Sequence, residues 1–74
     1  MDINIVVGNR IKAYIKEIGM KQGFLANKIG LSPKSLNLMI NGKTKINVDV
    51  LSNISNALGV DSSFFLNINS EKIG

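Results

Sequence analysis

Lys21-Gln22-Gly23-Phe24-Leu25-Ala26-Asn27-Lys28-Ile29-Gly30-Leu31-Ser32-Pro33-Lys34-Ser35-Leu36-Asn37-Leu38-Met39-Ile40-Asn41-Gly42 is the stretch on which the fold turns. Leu25, Ala26 and Ile29 lie on one face of a helix over about 22–29, and Gly30 stands just past its end. Ser32 supplies a hydroxyl to cap the next helix, Pro33 suits a first helical position that needs no N–H, and Gly42 follows the last turn, which predicts a helix over 33–41. Two helices joined by about three residues, with a glycine in the turn, cross steeply. Such a crossing demands a small residue at the contact, which Ala26 provides, and a left-handed turn residue, which Gly30 provides. Leu25, Ile29, Leu31, Leu36 and Met39 are then the positions that hold the pair on the rest of the molecule.

Upstream, Val7, Ile11, Tyr14, Ile15 and Ile18 recur at spacings of three and four. They predict an amphipathic helix over about 5–18, closed by Gly19, with Arg10, Lys12 and Lys16 on its wet face. Ile3 to Val7 is β-branched enough for a short strand and is read as the lead into that helix. Downstream, the basic loop from Lys43 to Ile46 leads to Asn47, a good N-cap, and to Val50, Leu51, Ile54, Ala57 and Leu58 on one stripe that stops at Gly59: a helix over 47–58. Asp61 can cap a last turn or two over 62–66, carrying Phe64, Phe65 and Leu66. The expectation is an all-α, five-helix domain over 1–66 with a flexible polar tail over 67–74.

The chain has 74 residues, 45% of them hydrophobic, which suits one compact core and no second domain. It contains no Cys and no His. Disulfides, thiol nucleophiles, imidazole bases and nitrogen or sulfur ligands for a transition metal are therefore unavailable, and helix packing has to carry stability. The acids Asp2, Glu17, Asp49, Asp61 and Glu71 occur at no spacing that pairs two carboxylates for acid–base work. An enzyme, a metal site, a cofactor and a small-molecule substrate are not expected. Neither a membrane span nor a secretion signal is evident, which points to the cytoplasm. Gly42-Lys43-Thr44 is not a phosphate loop, because Asn37 occupies the place of the upstream glycine.

Charge gives the first positive indication. The net charge is +4. Lys21, Lys28, Lys34, Lys43 and Lys45 fall between residues 21 and 45 with no acid among them, so the positive balance belongs to the middle third and suits a polyanionic partner. An ordinary solvated lysine surface is the competing reading. On the predicted third helix Leu36 and Met39 face inward, leaving Lys34, Asn37, Leu38 and Asn41 as an outward stripe. Lys34 can donate to guanine O6 and N7, Asn37 can pair with adenine or meet a phosphate, and Leu38 can touch a thymine methyl.

Taken together, Gln22, Leu25-Ala26, Ile29-Gly30, Ser32, Asn41-Gly42-Lys43-Thr44-Lys45 and the run from Ala57-Leu58-Gly59-Val60 to Leu66 resemble the Xre type of helix-turn-helix regulator, the family of the phage lambda repressor and the Cro proteins. The resemblance spans nearly the whole chain. It implies a sequence-specific regulator, a repressor in the first instance, whose partner is a double-stranded DNA operator. Helix 33–41 would lie in the major groove, with the N-terminus of the second helix at the phosphate backbone. The residues it implies at DNA are Lys21, Gln22, Ser32, Pro33, Lys34, Ser35, Asn37, Leu38, Asn41, Lys43, Thr44 and Lys45. Of these, Gln22 and Asn41 would contact the backbone, and Lys43, Thr44 and Lys45 would follow at the mouth of the groove. For Lys43 and Lys45 the alternative is plain loop solubility, and for Asn41 a helix C-cap.

Pro33 and Leu38 depart from the family, standing where many relatives carry a polar base-reader, so DNA shape is expected to contribute to specificity. Lys21 replaces the usual Ser or Thr cap, while Ile15 and Ile46 stand where Arg and Pro are common. Two adjacent rings, Phe64 and Phe65, are hard to bury completely in so small a chain, and the resemblance implies a homodimer interface at Val60, Phe64 and Phe65; the alternative, strongest for Phe65, is that the rings belong to the chain's own core. A protein-interaction module such as an antitoxin is the second reading, motivated by Leu38 and Ile40 as exposed apolar residues.

Overall fold

A computed structural model describes residues 2–66; the tail expected over 67–74 lies outside the described residues. Five helices follow one another: α1 (Ile3–Glu17), α2 (Gln22–Lys28), α3 (Pro33–Ile40), α4 (Val48–Leu58) and α5 (Ser63–Leu66). The all-α class is as expected, and no strand occurs among the described residues.

Local chemistry sets the helix ends. Ser32 Oγ accepts the Ser35 N–H at 3.1 Å, and Asn47 Oδ1 accepts the Val50 N–H at 2.8 Å, so both expected caps are formed. Lys21, at the head of α2, makes no side-chain cap. At the end of α3 the Gly42 N–H bonds the Met39 carbonyl and the Lys43 N–H bonds the Leu38 carbonyl. This closure requires a left-handed residue, and Gly42 has φ +78°. The turn between α2 and α3 closes the same way through Gly30, at φ +76°.

α1 begins two residues earlier than its apolar periodicity suggests. Asp2 is its N-cap and accepts the Asn4 N–H at 2.9 Å. The β-branched run from Ile3 to Val7 is helical because burial of Val7 and Gly8 outweighs propensity differences of at most about 0.7 kcal/mol per residue. At the other end Ile18 is the C-cap and is 47% exposed, so it does not join the core stripe.

The core consists of Val7, Ile11 and Ile15 from α1, Leu25 and Ala26 from α2, Leu36 and Ile40 from α3, Leu51 and Ile54 from α4, and Phe65 from α5. Each fully buried large aliphatic or aromatic side chain contributes about 1.5–3 kcal/mol relative to exposure. Three expectations for α3 are corrected. Ile40 is fully buried rather than exposed, and Met39 is only half-buried. Leu36 and Ile40, four apart, form the inner line of this short helix, whereas Met39, three from Leu36, falls on its flank. Leu38 is likewise half-buried rather than exposed. The apolar surface that motivated a protein-interaction module is correspondingly smaller.

α3 packs against both α1 and α2, so it is clamped from two sides. The contact with α1 is made at Gly8, where even a methyl group would run into the backbone of Ile40. α5 rests on α1 through three rings. Tyr14 meets Phe64 at 5.3 Å and Phe65 at 6.0 Å between centroids, edge to face in both cases. Among the described residues no helix is long and apolar enough to cross a membrane.

Candidate nucleic-acid interface

Burying Leu36 and Ile40 turns the opposite side of α3 outward. Lys34, Asn37 and Asn41 are exposed there, with Leu38 half-buried beside them. Pro33 and Ser32 are exposed at the head of the helix, while Ser35 is half-buried and accepts a hydrogen bond from the Ser32 hydroxyl at 3.0 Å. Lys43, Thr44 and Lys45 are exposed directly beyond α3, with the N–H groups of Lys43 and Thr44 both directed at the Leu38 carbonyl. That loop is also held from α1, because Asn4 Oδ1 accepts the Ile46 N–H at 3.2 Å.

Three of the expected residues are joined directly. Gln22, at the first position of α2, donates from Nε2 to Asn37 Oδ1 at 3.1 Å. Asn41 donates from Nδ2 to the same oxygen at 2.9 Å and to the Asn37 carbonyl at 2.8 Å. The head of α2 and the outer stripe of α3 thus form one polar surface. With Oδ1 engaged twice, Asn37 turns its NH₂ group outward, so its free hydrogen-bonding capacity is that of a donor. Asn41 has the C-cap position as well as this side-chain role.

Sequence reasoning missed one member. Lys12, assigned to the wet face of α1, reaches α3 and donates from Nζ to Asn41 Oδ1 at 2.9 Å. Its partner is 29 residues away. The only signal in the sequence was its position one residue after the core residue Ile11, on the helix that packs against α3.

At the other end, Phe64 is 50% exposed and Val60 half-buried, but Phe65 has no exposed surface at all. In the single chain the Phe65 ring therefore belongs to the core. α5 is one turn long, and with Phe64 turned outward its neighbour points into the core, where it meets Tyr14 of α1.

A family model described as helix-turn-helix matches residues 11–65. The chain belongs to this family, of the Xre and lambda repressor type. Two solved structures of the clp gene regulator ClgR from Corynebacterium glutamicum share the fold. One aligns over 90% of this chain and 71% of its own with a TM-score of 0.86 at 19% identity. The other aligns over 100% and 96% with a TM-score of 0.87 at 18% identity. Family and fold are those of DNA-binding transcription regulators.

Proposed function

We propose that this helix-turn-helix protein is a cytoplasmic, sequence-specific repressor that lays α3 in the major groove of a double-stranded operator and acts as a homodimer. The observation that carries this reading is the exposed polar stripe of α3, tied to the head of α2 by the Gln22–Asn37 bond and continued by a lysine loop. A recognition helix needs this arrangement: a rigid mount, base-reading groups outward and phosphate-binding groups at both rims. Lys34 is the base-reading cation. Lys21 and Gln22 meet the backbone on one side, and Lys43, Thr44 and Lys45 meet it on the other.

The dimer reading rests on Phe64, half exposed at the edge of an open groove of about 730 Å³ that Tyr14 and Val60 also line. Two copies joined there would present α3 helices about 34 Å apart to a pseudo-palindrome.

Selection of duplexes from a random pool, followed by titration in 50–200 mM salt, tests the proposal. Lys34→Ala should relax preference at one base position by about 1–3 kcal/mol, and Lys43→Ala should weaken all sequences alike. Binding untouched by both substitutions would refute the assignment of α3. Sedimentation that finds only monomer, free and on DNA, would remove the dimer.

A further inference from the structure

Asn41, expected at the phosphate backbone, has no free donor. Its two amide hydrogens go to the carbonyl and to Oδ1 of Asn37, at 2.8 and 2.9 Å. The orientation of the amide is determined from both ends. The Asn37 carbonyl can only accept, and the Lys12 ammonium, 2.9 Å from Asn41 Oδ1, can only donate. One way round satisfies both, and it spends the NH₂ group on α3 itself.

Lys12 is in the opposite situation. Its ammonium has three donors, of which Asn41 takes one, and no acidic side chain among the described residues bonds it. Two N–H groups and a full positive charge remain, held at the C-terminal end of α3 on the exposed side. Lysine ordinarily loses much side-chain freedom on binding, and a fixed hydrogen bond removes part of that cost in advance.

We propose that Lys12 of α1 is a phosphate-binding residue of the DNA interface and that Asn41 is its positioning residue. The chain Gln22–Asn37–Asn41–Lys12 then spans three helices and carries a cation to the rim of α3 where a neutral amide was expected. This inference rests on the DNA-binding reading above, and α1 thereby becomes a third contributor to the interface.

The test uses the full chain, a labelled duplex from the random-pool selection, and fluorescence anisotropy between 50 and 200 mM salt. One phosphate contact contributes a slope of about 0.9 in log K against log salt, or about 3.5-fold over that fourfold range. Lys12→Ala and Lys12→Gln should each narrow the affinity ratio by about that factor. Lys12→Gln keeps a donor for Asn41, so a loss shared by both variants reports charge rather than a broken fold. Asn41→Ala should weaken binding, and the double variant Lys12→Ala/Asn41→Ala should bind no more weakly than Lys12→Ala alone. A wild-type slope in both Lys12 variants, with Lys43→Ala lowering it, would overturn this assignment and leave DNA binding standing. Losses that multiply in the double variant would make Asn41 an independent ligand and overturn its positioning role. Salt-insensitive binding by the unaltered chain would overturn both readings together.

Discussion

Replacing Gly8 with alanine should unseat the helix that carries the interface, although alanine is the better helix former. A Cβ at Gly8 would lie 2.5 Å from the Ile40 carbonyl oxygen, 2.9 Å from its carbon and 3.0 Å from its Cα. Ordinary contact begins near 3.4 Å, so α3 would have to retreat by roughly 0.9 Å at that point. The obstacle is backbone and cannot rotate away, which puts the cost in the upper part of the range of about 1–3 kcal/mol for overpacking. Alanine returns about 1 kcal/mol of helix propensity. The net loss is about 1–2 kcal/mol, and each kcal/mol lowers Tm by about 4–8 °C in a domain of this size. Gly23 is the control, because it is helical, at ordinary φ, with nothing within 4 Å of a new Cβ. Gly23→Ala should stabilise by up to about 1 kcal/mol. Urea and thermal denaturation followed by circular dichroism read both variants. DNA affinity of Gly8→Ala should fall further than its stability explains, since Asn41 adjoins the displaced residue. A Gly8→Ala protein as stable as Gly23→Ala, with unchanged affinity, would refute the close α1–α3 packing.

Lys21→Ser supplies the cap that α2 lacks, so stability should rise by about 1 kcal/mol while the salt slope of duplex binding falls by about one phosphate contact; unchanged stability in a urea titration would show that the first turn is already satisfied. Asn37 presents a donor outward, so selected operators should accept guanine at its position at least as well as adenine, whose paired recognition needs a free amide oxygen too. Strict adenine in the selected pool would mean that the amide chain breaks on binding. Hydrogen bonds from the Ser63 backbone N–H and then its hydroxyl hold the Asp61 carboxyl below its ordinary value. Its folded pKa is thus lower than its unfolded one, so the support it gives α5 is complete above the unfolded value and vanishes as pH falls through the folded one. The stability advantage of wild type over Asp61→Asn, measured as urea midpoints against pH, should therefore disappear in acid; an advantage that persists there would exclude this origin.

Much of the fold was legible residue by residue because helix ends are local events. Ser32 with Pro33, Asn47, and the glycines at 30, 42 and 59 each need only three to five neighbours to cap or close a helix, and each does so where expected. Asp2 obeys the same rule, but the β-branched residues after it obscured the start of α1. The lysine-only stretch and the outward stripe of α3 were legible for a related reason: charge and helical spacing are properties of the chain itself.

Which flank of a short helix is buried is a different matter. Two turns of α3 offer Leu36, Leu38, Met39 and Ile40 as apolar candidates, and periodicity over so few residues does not rank them. The packing of α1 and α2 selects Ile40 and sets Met39 aside. Tertiary placement alone also brings Gly8 under Ile40, Asn4 to Ile46, Gln22 to Asn37 and Lys12 to Asn41. Each of these contacts joins different parts of the chain. It depends on the distance and rotation between helices, which the summed burial of the whole core settles and no short segment encodes.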